Sequence, residues 1–281
     1  MNDLNHTLSH RLIAKQLTVG YTETNILKQV DFQVPDGQVT VLVGPNGSGK
    51  STLLKTLARI LKPRSGQVLL DGKDIHNSQT REVAQKLGLL PQGPIAPEGL
   101  TVRELVAQGR FPHQNLLRQW SSDDERAVRE AMDIAQVTEF ADRPVDNLSG
   151  GQRQRCWVAM VLAQETDLIL LDEPTTFLDL KVQVDLMNLL VRLAHNTHRT
   201  LVVVLHELNL AAAYADYLVM MREGIILYKG MPSDIFTSHN LKAVFDLDAH
   251  VIQDPHSRRL ICVPSPMSVV SRNIEVGVCS A

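Results

Sequence analysis

One junction constrains this chain more than any other stretch. Residues 39–43 (VTVLV) are apolar or β-branched throughout, and residues 52–61 (TLLKTLARIL) recur at helical spacing. Between them stands Gly44-Pro45-Asn46-Gly47-Ser48-Gly49-Lys50-Ser51-Thr52. A strand apolar at nearly every position is buried on both faces, which a parallel sheet covered by helices provides. The intervening segment satisfies GxxxxGK[ST] in the strand-to-helix context that this motif requires. Its glycines let successive backbone N–H groups turn inward around phosphate oxygens, and the helix start adds the positive end of a dipole. Lys50 is placed to reach β and γ phosphates, and the Ser51 hydroxyl to ligate Mg2+. A plain flexible Gly/Ser turn is the rival, disfavoured by the full spacing.

The rest of the pattern alternates strands and helices, predicting an α/β fold with a parallel-sheet core. Ahead of the junction, LTVGY (17–21) and VDFQV (30–34) read as antiparallel strands, and Pro35-Asp36-Gly37 as a tight turn joining them to residues 39–44. GQVLLDG (66–72) reads as a short edge strand, and KLGLLPQ (86–92) as a buried strand ended by Pro91. From residue 93 to about 165 the character is mostly helical, with TVRELVAQGR (101–110) amphipathic and SSDDERAVREAMDIAQV (121–137) opening on N-cap chemistry. Strands resume at DLILLDEP (167–174) and TLVVVLH (200–206), each followed by a helical run, and LVMMREGIILYKG (218–230) reads as a hairpin. The tail SPMSVVSRNIEVGVCSA (265–281) is weakly patterned.

Composition excludes several classes. Twenty-eight basic against 31 acidic residues give 28 − 31 = −3, with no Lys/Arg stripe, so there is no electrostatic footprint for nucleic acid. Three widely spaced cysteines, Cys156, Cys262 and Cys279, make neither a disulfide framework nor a zinc site and fit a reducing compartment. The polar opening MNDLNHTLSHR has no apolar signal region, and the aliphatic runs are too short to cross a bilayer, so any membrane role comes through a partner.

Two further clusters carry chemistry. Asp172 and Glu173 end a buried strand, where Asp172 can hold a Mg2+ shell and Glu173 can polarise an attacking water, with an acidic turn as the plain alternative. Leu148-Ser149-Gly150-Gly151-Gln152 opens a helix with two bare backbone amides and a hydroxyl, a second anion-binding start or else an ordinary N-cap. His206 has no second histidine at metal-ligand spacing, and His195 and His198 read as solvated.

Taken in order, GPNGSGKST, Gln92, LSGGQ, LLDEPT, Leu178-Asp179 and His206 resemble the nucleotide-binding subunit of ABC transporters over roughly residues 11–235. The resemblance implies a P-loop NTPase (RecA-like) core, an antiparallel β subdomain, and a helical subdomain carrying the LSGGQ signature. The expected ATPase domain is 1–264, with core 11–92 and 165–235, helical insertion 93–164, and a tail of uncertain structure at 265–281. It implies ATP and Mg2+, with Gly44 to Thr52 on the phosphates and Ser51, Gln92 and Asp172 on the metal. Glu173, His206, Gln92 and Lys50 would act in hydrolysis. Tyr21 resembles an adenine-stacking aromatic, or is a strand-end tyrosine. Gln92 resembles a glutamine linked to Mg2+ and to the transporter, or is a loop amide. Asp179 resembles a D-loop carboxylate, or is a helix N-cap. His206 resembles a γ-phosphate sensor. Ser149, Gly150, Gly151 and Gln152 would close on the nucleotide of a second copy, so a head-to-tail homodimer holding two ATP is implied.

Gly109-Arg110-Phe111-Pro112-His113, residues 160–179 and residues 204–216 narrow the resemblance to the ATPases of importers for ferric siderophores, ferric citrate, haem and vitamin B12. GRFPH is otherwise a helix stop and a loop. Glu207 stands where Asp is usual and Phe177 where Tyr or Trp is common. The implied partners are polytopic permease subunits, docked in a partly apolar groove, and indirectly an extracytoplasmic solute-binding protein. The implied location is peripheral, on the cytoplasmic face of the inner membrane. The alternative is a soluble ABC-class ATPase acting mechanically on DNA, ribosomes or Fe–S assembly. Against it stand a single ATPase unit, no coiled-coil insertion and no basic face. A P-loop kinase or GTPase is disfavoured by the lack of an NKxD motif.

Overall fold

The computed structural model describes residues 10–21, 23–114 and 120–265. The chain begins with β1 (Leu12–Tyr21), β2 (Thr24–Val34), β3 (Val39–Val43) and α1 (Lys50–Leu57), then β4 (Ser65–Leu70), β5 (Lys73–Asp74), α2 (Thr80–Ala84) and β6 (Leu87–Leu90). Three helices follow, α3 (Val102–Ala107), α4 (Ser122–Ala135) and α5 (Gly150–Ala163). The chain returns to strands with β7 (Leu168–Asp172), α6 (Leu180–Thr197), β8 (Thr200–Val204), α7 (Leu208–Tyr214), β9 (Tyr217–Arg222) and β10 (Ile225–Gly230). It closes with α8 (Pro232–Ile235), α9 (Ser238–Phe245), β11 (Ala249–Gln253) and β12 (Leu260–Pro264).

Six strands form the central sheet in the order β10-β9-β3-β8-β7-β6, parallel except for the antiparallel edge strand β10. Side chains alternate between faces with period two, so each buried strand serves two cores. Val39, Val41, Val43, Ile169, Leu171, Leu201 and Val203 face the core shared with α3 to α7. Leu42, Leu168, Leu170, Val202 and Val204 face the core shared with α1 and a second, antiparallel sheet, β2-β1-β4-β5. This is a P-loop, RecA-like core with an antiparallel β layer and a helical subdomain.

Several local expectations are corrected. The Pro35-Asp36-Gly37 turn does not pair β2 with β3 but carries the chain from one sheet to the other. The burial pattern gives the physical reason: β2 buries alternate residues, whereas all five residues of β3 are buried. The strand at 66–72 is not an edge, because β4 lies between β1 and two-residue β5. The amphipathic run from 101 is α-helical only to Ala107 and tightens into a 3-10 turn at Gln108–His113. His195 is not simply solvated: its Nε2 lies 2.9 Å from Asp216 Oδ2, an oxygen that also accepts the Val39 N–H. His198 is exposed and ends α6 in the left-handed conformation. The expectation for the tail lies outside the described residues from 266 onward.

Each helix of the helical subdomain starts with a reciprocal capping box, Thr101 with Glu104, Ser121 with Asp124 and Ser149 with Gln152. Such caps satisfy two orphan N–H groups at once and are worth about 1 kcal/mol each. At the other end of the chain, two side-chain contacts fasten the β11–β12 hairpin to α7. Asn209 donates from Nδ2 to Cys262 O (3.3 Å) and accepts the Cys262 N–H at Oδ1 (2.7 Å), while the Arg259 guanidinium lies 5.0 Å from the centre of the Tyr214 ring.

Candidate functional site

The Gly44–Thr52 loop joins the carboxyl end of β3 to the first turn of α1. Gly49 stands at the N-cap with φ +99°, a conformation that suits glycine, and no side chain caps this helix. The β9–β10 turn braces the loop from behind. Gly224 N–H donates to Ser48 O (3.1 Å), and a Cβ on Gly224 would lie 1.9 Å from Ile26 O. Lys50 is 5% exposed and folds its ammonium onto the carbonyls of Gly44 (2.8 Å) and Pro45 (3.1 Å). Burial pushes its pKa down, against the pull of Glu173 and Asp172.

The carboxyl end of β7 lies beside this loop. Ser51 Oγ donates to Asp172 Oδ1 at 2.9 Å. Asp172 is 1% exposed and its Oδ2 has no hydrogen-bond partner, an orphan acceptor next to the Ser51 hydroxyl. Burial raises the Asp172 pKa against the hydrogen bond from Ser51. Glu173 follows with φ +54°, a left-handed backbone that swings its side chain away from the line of the strand. Three groups converge on its carboxylate: His206 Nε2 lies 2.5 Å from Oε1, Gln92 Nε2 donates to Oε2 at 2.5 Å, and Thr176 Oγ1 donates to Oε2 at 3.3 Å. Residues from the ends of β6, β7 and β8 thus meet at one carboxylate.

The resulting cleft, about 240 Å³, is lined by Asn46, Gly47, Gly49, Lys50, Ser51, Thr52, Glu173 and His206, with Tyr21 and Ile26 at its rim. Tyr21 is half exposed at the end of β1. Ser149, Gly150, Gly151 and Gln152 do not line this cleft. Ser149 and Gly150 are exposed at the start of α5, and Gly150 borders a separate cleft of about 450 Å³ between the Pro91–Pro94 loop and Phe177. Asp179 caps α6 by accepting the Val182 N–H at 3.0 Å. Gly151 packs against that same turn, since a Cβ on it would lie 2.8 Å from Val182 Cγ1.

Sequence reasoning missed three contributors. Thr176 reaches Glu173 but lies in a Thr-Thr run with no signal of its own. Glu207, noted only as a departure, accepts from Thr175 Oγ1 (3.4 Å) and steadies the loop after Glu173. Gly224 sits in a hairpin turn whose spacing says nothing of the loop it supports.

Against known proteins, residues 27–176 match the ABC transporter family. The chain is 47% identical over 254 residues to the ferric enterobactin transport ATP-binding protein of Escherichia coli, covering 90% of this chain and 94% of that one. It is 48% identical over 253 residues to the achromobactin transport ATP-binding protein of Dickeya dadantii, covering 90% and 94%. Among solved structures, a chain of a metal-chelate type ABC transporter in an inward-facing conformation superposes with TM-score 0.79 at 32% identity, covering 92% of this chain and 98% of that one. A dimeric ATP-binding cassette in a post-hydrolysis state with ADP and Pi gives TM-score 0.70 at 28% identity over 79% and 98%. Relatives nearly half identical along nine-tenths of the sequence, on the same fold, leave one assignment: this chain belongs to the ABC transporter family, as an ATP-binding subunit with ABC-type ATPase activity.

Proposed function

We propose that this ATPase powers import of a ferric siderophore or a closely related iron chelate, acting as a head-to-tail pair beneath a separate permease on the cytoplasmic face of the membrane. Relatives named for ferric enterobactin and achromobactin transport support the cargo class. Among the described residues no helix is long and apolar enough to cross a membrane, which suits a subunit that works beneath a separate permease. An extracytoplasmic binding protein would deliver the chelate to that permease. The loop after Gln92, with Ile95 90% exposed, and the nearby cleft bordered by Trp157 and Phe177 form the partly apolar surface on which a permease helix would rest.

The observation that carries the mechanism is the division of the site. The phosphate loop, Glu173 and His206 share one cleft, while Ser149 to Gln152 stand outside it with exposed serine and glycine. A second copy turned head to tail would bring its Ser149 and Gly151 over the terminal phosphate, with Asp179 alongside. Lys50 leaves the Gly44 and Pro45 carbonyls for the β and γ phosphates, whose charge favours its ammonium form and offsets the cost of its burial. The backbone amides of Gly47 to Thr52 hold the remaining oxygens, and Tyr21 stacks on the adenine. Glu173 accepts a proton from the attacking water, and His206 and Gln92 fix its carboxylate and read the γ-phosphate.

Mg2+ fits the donor set, because the buried unpartnered oxygen of Asp172 beside the Ser51 hydroxyl is an oxygen site with few protein ligands. Ser51, Asp172 and Gln92 would hold it, and bound there it would neutralise charge on the β and γ phosphates.

Glu173→Gln tests the scheme. Hydrolysis should fall by about 10²–10⁴, an ATP-bound dimer should accumulate in light scattering, and uptake of labelled ferric siderophore should stop in cells carrying only this variant. Near-normal hydrolysis would refute Glu173 as the base. Unchanged siderophore uptake beside lost cobalamin uptake would refute the cargo class.

A further inference from the structure

The helix α5 has two ends with different surroundings: its first turn carries the signature, and its last residue, Ala163, is gripped by the Gln108–His113 turn. The Arg110 guanidinium, 3% exposed, donates from Nη1 to Ala163 O (2.7 Å) and Glu165 Oε2 (2.7 Å), and from Nε to Asp124 Oδ1 (2.9 Å). Asp124 is 1% exposed and also closes the capping box of α4. Gly109 permits this approach, since a Cβ there would lie 2.1 Å from Met160 O. One buried cation therefore ties the turn, the start of α4 and the end of α5 together. Two residues on, the Pro112 carbonyl accepts from Arg81 Nε (2.8 Å), in the first turn of α2, and from Gln85 Nε2 (2.9 Å), at that helix's C-cap. Gln164 Nε2 donates back to Ala84 O at 2.6 Å, and His113 Nε2 lies 2.9 Å from Gln164 O.

Geometry gives this junction leverage. Fourteen helical residues span about 21 Å, so a tilt of about 5° at the Ala163 end moves the signature end by ~2 Å, beyond hydrogen-bond tolerance. A misplacement of about 1 Å at a reacting centre already costs on the order of 10²-fold in rate.

We propose that the Gly109–His113 turn is the joint that aims the signature: Arg110 locks α5 to its own lobe, the Pro112 carbonyl locks that lobe to α2, and Arg110, Arg81 and Gln85 are positioning residues for the reaction. This rests on Ser149 and Gly151 acting at the nucleotide of a second copy. A guanidinium serves because its planar fork reaches three acceptors in different directions, which a lysine ammonium on a flexible stem does not reproduce.

The test uses the full-length chain, measuring the ATPase rate against ATP concentration and, separately, the affinity of dilute single chains for a fluorescent ATP analogue. The double variant Arg81→Ala/Gln85→Ala alters two exposed side chains and leaves the buried cluster intact. It should lower kcat about tenfold or more while changing single-chain affinity by less than about twofold. Arg110→Lys, which keeps the charge, should show the same split. An unchanged kcat in the double variant overturns the joint, as does a fall in affinity matching the fall in kcat. Ser149→Arg, run in parallel, separates the two levels. If it keeps full kcat, the assignment of the signature to the second copy fails. If it loses kcat while the double variant does not, the joint alone fails.

Discussion

Two helices in this molecule begin with glycine-rich segments able to face an anion, and they begin differently. The start of α1 is buried, has no side-chain cap, and sits among polar atoms without partners, the Ser48 hydroxyl and Asp172 Oδ2. The start of α5 is exposed and self-sufficient, its Ser149 oxygen accepting the Gln152 N–H and its Ser149 N–H satisfied by Gln152 Oε1. A helix end left unsatisfied inside a protein is stable only with a partner from outside, whereas a capped end persists alone. The contrast fits the proposed scheme, in which the first receives phosphate and the second waits at the surface for another copy. A serine hydroxyl that accepts one N–H still has its own proton to donate, so capping does not disarm Ser149.

Breaking the waiting end should give the largest effect. Ser149→Arg should reduce steady-state hydrolysis by about 10²–10³, the scale for losing a donor to developing charge, while leaving nucleotide affinity of the single chain intact. Lost affinity in equilibrium binding would place Ser149 in its own chain's site and erase the contrast. Next in size is a glycine pair. Gly49→Ala meets φ +99° and would set a Cβ 2.7 Å from Leu27 Cδ2, so it should cost about 1–3 kcal/mol. Gly150→Ala meets nothing within 4 Å and should leave stability level or slightly higher. Thermal unfolding of the two side by side decides it, and equal losses would contradict a strained start set against a relaxed one.

Tyr21→Ala refines the receiving end. If the ring stacks on adenine, ATP binding should weaken by about 1–3 kcal/mol, read by calorimetry, whereas an unchanged affinity returns Tyr21 to a strand-end role. The smallest effect concerns a capped start of the same kind as α5. At α4, burial works against ionisation of Asp124, but hydrogen bonds from Ser121 and Arg110 prevail and hold its pKa at about 2, below the ordinary 3.8. A carboxyl depressed on folding adds stability that is fully present above its unfolded value and is lost as pH falls through the folded one. Acid unfolding should therefore steepen between pH 3.8 and about 2, and Asp124→Asn should flatten that part of the curve.

What was legible in the sequence was local or borne by fixed spacing. Runs that are apolar or β-branched throughout, such as residues 39–43 and 168–171, announce strands buried on both faces, and the Gly44–Thr52 spacing announces its own strand-to-helix setting. What was illegible depends on partners far along the chain. That β4 is interior follows from β5 pairing beyond it, and two residues leave no periodicity to read. The His195–Asp216 pair joins side chains 21 positions apart with nothing nearby to signal it, and the resemblance that put Gln92 and Glu173 in one site did not say that they touch across 81 positions. The GRFPH run was read as a helix stop or a mark of kinship, and its buried guanidinium became visible only once α4 and α5 were folded around it.

The amide of Asn209, three residues beyond His206, grips the backbone of Cys262 from both sides. A nascent chain halted on the ribosome just short of β12 would already contain every motif from Gly44 to His206. It would still lack the strand that buttresses the helix behind the histidine. Shortened expression products that stop before Leu260 should thus carry every motif of the nucleotide site yet mature poorly, and a purification tag is better appended after Pro264 than substituted for the hairpin.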